Sequence, residues 1–183
     1  LVRTRLALGQ ETGAAQWLAQ VQPTLTADLN RVRESEQFTA ACVLIAQGSS
    51  AEALALLTQL RQAAEADGRQ KMVVESCVLA AVAYQRQGDH LAAQGMLHKA
   101  LTLAGGPMGA EGYIRTFVDE GEAVRLLIVE FRVWLAQQPN TEQNRKMHFY
   151  VEKVLAAFTH KPAPETNPLP TAQPEIANPT PTL

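Results

Sequence analysis

The sequence predicts an all-α protein, a stack of helical hairpins, and three observations carry that prediction. A short pattern beginning with glycine recurs three times. Alanine is abundant, while aromatic residues make up only 5% of the 183 residues, which favours helices packed closely on one another over a sandwich or barrel. Apolar residues keep a helical period on both sides of these glycines.

The three copies begin at Gly9, Gly48 and Gly88 and align without gaps over ten residues. Each has alanine five residues on (Ala14, Ala53, Ala93) and leucine nine residues on (Leu18, Leu57, Leu97). Glycine accepts the left-handed backbone that ends a first helix. The alanine, about a turn into the second helix, is small enough for close approach. The leucine, four residues further, shares its face and fills the space between helices. A fixed period of this kind marks a repeat architecture.

The elements follow in order. Leu1 to Leu8 reads as a helix that starts mid-pattern, as in a piece of a longer protein. Arg69 to Gln87 is the clearest first helix. Ser50 to Asp67 and Asp89 to Ala104 are second helices, with Ser50 and Asp89 suited to N-caps. Gly68 and Gly105-Gly106-Pro107 separate the pairs. Beyond Pro107 the register changes. Glu111 to Glu120 reads as a short helix, Gly121 as a break, and Glu122 to Gln137 as a longer amphipathic helix carrying Val124, Leu127, Ile128, Phe131 and Leu135. Pro139-Asn140-Thr141 opens a last helix bearing Phe149, Tyr150, Val154, Leu155 and Phe158. The expectation is about four helix pairs and a final helix. The domain spans 1–160, and 161–183 is a disordered Pro-rich tail or linker, since seven of the ten prolines fall between Pro162 and Pro181.

Charge and composition exclude several functions. The net charge is −2 and the pI about 6.1. The basic residues (Arg31, Arg33, Arg61, Arg69, Arg86, Arg132, Lys146) are scattered, so direct nucleic-acid contact by this segment is not expected. No apolar run reaches membrane-spanning length, and no signal peptide opens the chain. Cys42 and Cys77 lie in apolar helical patterns and read as free buried thiols in a reducing compartment. His90, His98, His148 and His160 lack metal spacing. Arg115, Asp119 and Glu120 read as surface charge and not as catalysts. Trp17 and Trp134 read as core or seam residues. There is no nucleophile elbow and no phosphate loop. The chain is therefore expected not to be an enzyme and to hold no cofactor and no metal.

The third copy, from Tyr84 through Gly88, Asp89, Ala93, Leu97 and Ala100, closely resembles a tetratricopeptide repeat. Its period is longer than the usual ~34 residues. A second motif, Glu111-Gly112-Tyr113-Ile114-Arg115-Thr116-Phe117-Val118-Asp119-Glu120-Gly121 before an apolar helix, resembles the segment closing the repeat region of large LuxR-type, MalT-like transcription regulators. The helix ending Val154 to Phe158 and the loose tail are also similar to that family, and the resemblance covers roughly residues 1–160. It implies a tetratricopeptide-like array (α-solenoid) that senses an inducer or partner in the cytoplasm, with Tyr113 and Phe117 packing the last repeat. It also implies an ATP-binding module and a helix-turn-helix domain outside this sequence.

In tetratricopeptide stacks the first helices line a concave groove. By the alignment that groove takes Ser35, Phe38, Cys42 and Ile45 from the second repeat, and Glu75, Val78, Val82, Gln85 and Arg86 from the third. Two readings stand side by side: an apolar groove with a rim of Glu75, Gln85 and Arg86, or helices simply sandwiched in the stack. On the groove reading, Val82→Glu should abolish binding and leave helicity intact. The partner would be a small-molecule inducer or a protein or peptide, and homo-oligomers are compatible. The alternative function is a general tetratricopeptide scaffold or adaptor.

Overall fold

A computed structural model describes residues 11–25, 34–106 and 113–159 of the chain. The expected helix Leu1–Leu8, Gly9, Arg31, Arg33, Pro107, Glu111, Gly112 and the tail 161–183 lie outside them. Eight helices and no strand occur among the described residues: α1 (Glu11–Leu25), α2 (Glu34–Ala46), α3 (Ser50–Ala66), α4 (Gln70–Gln87), α5 (His90–Ala104), α6 (Ile114–Val118), α7 (Glu122–Leu135) and α8 (Glu142–Thr159). None is long and apolar enough to cross a membrane.

The repeat chemistry works as the residues suggest, at twice the frequency. Gly48, Gly68 and Gly88 all have positive φ (83°, 68° and 79°). At each, the next amide bonds back across the turn: Ser49 to the Leu44 carbonyl (2.9 Å), Arg69 to Ala64 (2.8 Å) and Asp89 to Tyr84 (3.0 Å). These are three copies of one glycine-stopped helix end. Helices α2, α3 and α4 therefore stop in the same way, not only the first of each pair; α5 ends differently, at Gly105 with φ −87°. The long period sits in long helices, 17 residues in α3 and 18 in α4. Asp89 caps α5 by accepting from the Ala92 amide at 3.0 Å. Ser50 is no cap: Ser49 precedes the helix, without a side-chain cap bond, and Ser50 is buried.

The alanines and leucines of the pattern are all core. Ala14, Ala53 and Ala93 are 0–1% exposed, and Leu18, Leu57 and Leu97 at most 4%. Each such leucine contributes roughly 1.5–3 kcal/mol by burial. Successive helices from α1 to α5 pack on one another, and α2 also touches α4. The middle helix α4 packs against α2, α3, α5, α6 and α7, and its residues Val73, Val74 and Ser76 to Ala83 are buried. That explains a helix apolar on nearly every side. Polar ties fix the ends: Gln70 donates to the Leu103 carbonyl (2.7 Å), Arg69 meets Glu34 (2.5 Å) and Lys99 meets Glu65 (2.7 Å).

Beyond α5 the organisation differs. The expected helix Glu111–Glu120 is described only as α6, a short plug whose Phe117 is fully buried. Gly121, at φ 80° and ψ −154°, then turns the chain through a conformation essentially restricted to glycine. Helix α7 packs on α4 and α5, so it takes the place of the next first helix; α8 packs on α7 and α5. The last helix is thus the second member of a pair and not a lone terminal helix. Thr141 caps α8, accepting from the Asn144 amide at 3.2 Å. Of its predicted apolar residues, Tyr150 and Val154 are buried and Leu155 and Phe158 half-buried, whereas Phe149 is 72% exposed.

Candidate ligand-binding surfaces

The nine predicted groove residues divide by chemistry. Phe38, Ile45, Val78 and Val82 are 0–8% exposed and sit in the core. As side chains they present no apolar wall to a ligand, and the described helices are sandwiched there. Val82→Glu would bury a carboxylate and disturb the fold itself, so it cannot serve as a clean test of binding. Ser35 and Arg86 are exposed, and Cys42, Glu75 and Gln85 half-buried.

Two of the polar members, Gln85 and Arg86, tie helices together. The Arg86 guanidinium donates to the Ile45 carbonyl, placing a cation on the last turn of α2, where the helix dipole favours it. Glu75 stands 3.9 Å from Lys71. Gln85 is a three-helix junction: its amide oxygen is 2.9 Å from the His90 Nδ1, and its amide nitrogen donates to Glu130 on α7 at 3.4 Å. The hollow at that junction, also lined by Leu97, Leu127 and Phe131, holds about 150 Å³. That is below the ~300–1,000 Å³ of ordinary small-molecule sites.

Residues left aside as metal ligands or redox pairs have packing roles. The His98 ring stacks on Phe131 at 5.9 Å and meets the edge of Trp134 at 6.1 Å. No group of histidine, cysteine and carboxylate residues able to hold a metal occurs among the described residues. Cys77 is buried, and burial pushes its thiol up from the ordinary range, which keeps it un-ionised and unreactive. Cys42 is only half-buried, packed against the core. The Glu65 carboxyl is held below its usual range, chiefly by its hydrogen bond from Lys99; this is a surface tie between α3 and α5.

A larger cleft lies where residue patterning pointed to nothing. It holds about 510 Å³ between the end of α5, the start of α6 and one face of α8. Gly105, Ile114, Phe149 and Tyr150 supply its apolar part; Glu142, Arg145, Lys146 and Lys153 supply its charges. A neighbouring hollow of about 360 Å³ shares Gly105, Lys146 and Tyr150. Gly105 looked like punctuation in the sequence, but its φ of −87° is open to any residue. What demands glycine is contact: a Cβ there would stand 3.0 Å from the Leu101 carbonyl oxygen and 3.2 Å from the Tyr150 ring. The Tyr150 ring packs edge-on to Phe117 at 6.4 Å. Its hydroxyl is buried, with no hydrogen-bond partner among the described residues. Burial first, and the Tyr113 phenol second, push it up to about 12. Tyr113 is half-buried against the core, so Tyr113 and Phe117 both pack the end of the array, as the resemblance implied.

The family described as the MalT-like TPR region matches residues 1–154. No curated protein and no solved structure matches the chain. The match runs through the repeat copies, the α6 plug and most of α8, and it agrees with the glycine-stopped hairpins and their buried alanine–leucine seams. The chain belongs to the family of MalT-like TPR regions.

Proposed function

We propose that this chain is the effector-sensing and protein-interaction region of a cytoplasmic LuxR-type transcription regulator. An inducer or partner bound to the repeats would control oligomerisation and DNA binding by domains outside this sequence. The observation that carries this reading is the family match over 1–154, which takes in α1 to α7 and most of α8. A ligand can work such a switch only through unequal affinity for two states of the full protein. A closely packed stack suits that role, because tightly packed interfaces move between discrete arrangements and do not deform smoothly. Ser35, Cys42, Glu75, Gln85 and Arg86 are the predicted groove residues left accessible, and Gln85 and Arg86 each bridge helices. A contact there is placed to alter how α2, α4 and α7 sit together.

The test is to read the gene on both sides of this segment. The proposal expects a phosphate-binding loop module upstream and a helix-turn-helix domain within about a domain's length downstream. An open reading frame with neither overturns it and leaves a repeat scaffold.

A further inference from the structure

We propose that the hollow at the Gln85 junction receives an arginine side chain of a protein partner. The inference deepens the interaction reading of the repeats by naming a partner chemistry, and it is measured on this chain alone, so its failure is distinct from a failure to find the flanking domains. Size comes first. About 150 Å³ is too little for a whole metabolite, but a cavity of ~150 Å³ lined by aliphatic and aromatic residues takes a benzene-sized group. The floor is apolar: Leu97, Leu127 and Phe131 are buried and line the hollow from α5 and α7. An arginine stem lies along such a surface while its charged head stays at the rim.

Charge comes second. The rim carries Gln85, His90, Gln94 and Glu130. His90 and Gln85 hold each other at 2.9 Å, and with histidine neutral the charge of the rim is the Glu130 carboxylate. One oxygen of that carboxylate accepts from Gln85 at a long 3.4 Å. The cations of the neighbouring helices are committed elsewhere: Arg86 to the Ile45 carbonyl, Lys99 to Glu65, and Arg125 and Arg132 of α7 to Glu122 and Glu152. The last turn of α4, where the helix dipole favours a cation, also borders the hollow at Gln85. A guanidinium suits this rim better than an ammonium, because its planar fork can bond both carboxylate oxygens at once. Surface comes third. Leu91 is 80% exposed and Leu126 50%. Leu91 lies three residues before Gln94 and Leu126 four before Glu130, so each shares a helix face with a rim residue. A lone small cation would leave both leucines uncovered. A peptide with apolar residues beside its arginine covers them and shields the ion pair from water.

The experiment uses the full chain at mildly alkaline pH and low salt, with a short acetylated peptide that has a leucine on each side of a central arginine. Counterparts carry citrulline or glutamate in place of the arginine, and propylguanidine is the head group alone. Amide chemical shifts and calorimetry read the binding. Saturable shifts centred on Gln94, Leu97, Leu127 and Glu130 are expected with the arginine peptide. The citrulline peptide should bind about fivefold more weakly, the upper end for an accessible ion pair, and the glutamate peptide more weakly still. Glu130→Gln, at an exposed position, should weaken the arginine peptide about fivefold with helicity unchanged by circular dichroism, and leave the citrulline peptide as it was. Leu91→Ser combined with Leu126→Ser should weaken the peptide and not propylguanidine. The proposal is overturned if the arginine peptide gives no saturable shifts at those residues, if citrulline binds as tightly, or if Glu130→Gln changes nothing. Propylguanidine binding as tightly as the peptide overturns it as well, and leaves a site for a small free cation.

Discussion

Helices α2 to α5 and helices α6 to α8 solve the same packing problem with different materials. In the first region each seam is closed by small residues against leucines. Ala53, Ala64, Ala81, Ala93 and Ala100 are at most 1% exposed, with Leu57, Leu60 and Leu97 beside them. Backbones approach closely, and the space between helices is filled from within the repeat. In the second region the contacts are made by large rings: Phe117 on Tyr150, and Phe131 between His98 and Trp134. Rings hold helices further apart and fill space less evenly, and the cleft of about 510 Å³ lies on that side of the molecule. The difference shows how one array can be closely packed in its repeats and hollowed at its end.

The largest expected effect tests whether the two regions are one cooperative unit. Phe117→Ala removes the fully buried ring that docks α6 on the rest, and should cost about 3–5 kcal/mol. If α6–α8 is held to α4 and α5 mainly through that plug, denaturant unfolding followed by hydrogen exchange will show α6–α8 losing protection first while α2–α5 persists. A single transition in which all helices lose protection together would erase the comparison and make the array one cooperative block.

A smaller effect probes the seams directly. Ala93→Leu puts three extra carbons into the α4–α5 contact, where nothing in the repeat can yield, and should destabilise by about 1–3 kcal/mol. Gly105→Ala adds one carbon at the cleft, against the Leu101 carbonyl at 3.0 Å and the Tyr150 ring at 3.2 Å. The ring borders open space, so it can move aside; the expected cost is about 1 kcal/mol or less. Urea midpoints of the two variants rank them. Equal losses would mean that the end of the array is packed as tightly as its middle.

The contrast also explains what could be read from the sequence. Ala14, Leu57 and Leu97 were legible as core because their spacing from a turn glycine is a local property. The glycine stops at 48, 68 and 88 and the Asp89 cap were legible for the same reason. The fate of Phe38, Ile45, Val78 and Val82 was not. Whether a first helix faces a groove or a neighbour depends on which helices cover it, and no window of sequence contains that. The cleft was invisible for a further reason. Its charges come from α8 while its floor comes from Gly105 and Ile114, on segments joined only by the fold. Gly105 carried the one available hint, as the first of a glycine pair where a single glycine would have ended the helix. Phe149 misled by matching the helical period of its neighbours while facing away from the core.

The smallest effect asks whether the floor of the cleft is as dry as its rim is wet. Tyr150 keeps its hydroxyl buried without a partner among the described residues, and its ionisation is pushed up to about 12, against an ordinary value near ~10. The unfolded chain therefore gives up this proton first as pH rises. Between about pH 10 and 12 the unfolded state binds fewer protons than the folded state, so stability falls with pH through that window. Tyr150→Phe keeps the ring against Gly105 and Phe117 and removes the group that titrates. Near neutral pH it should be neutral, or stabilising by up to about 1 kcal/mol, since the hydroxyl it deletes makes no bond to the described residues. Its advantage over the parent should then grow by roughly 1.4 kcal/mol between pH 8 and pH 11, the value of one pKa unit. Urea midpoints at the two pH values measure this, and loss of other groups' charge cancels because both proteins share it. A difference that stays constant with pH would mean that water reaches the Tyr150 hydroxyl. The terminal unit would then be open through to its core, and the contrast with the closed seams of α2–α5 would be sharper than the packing alone implies.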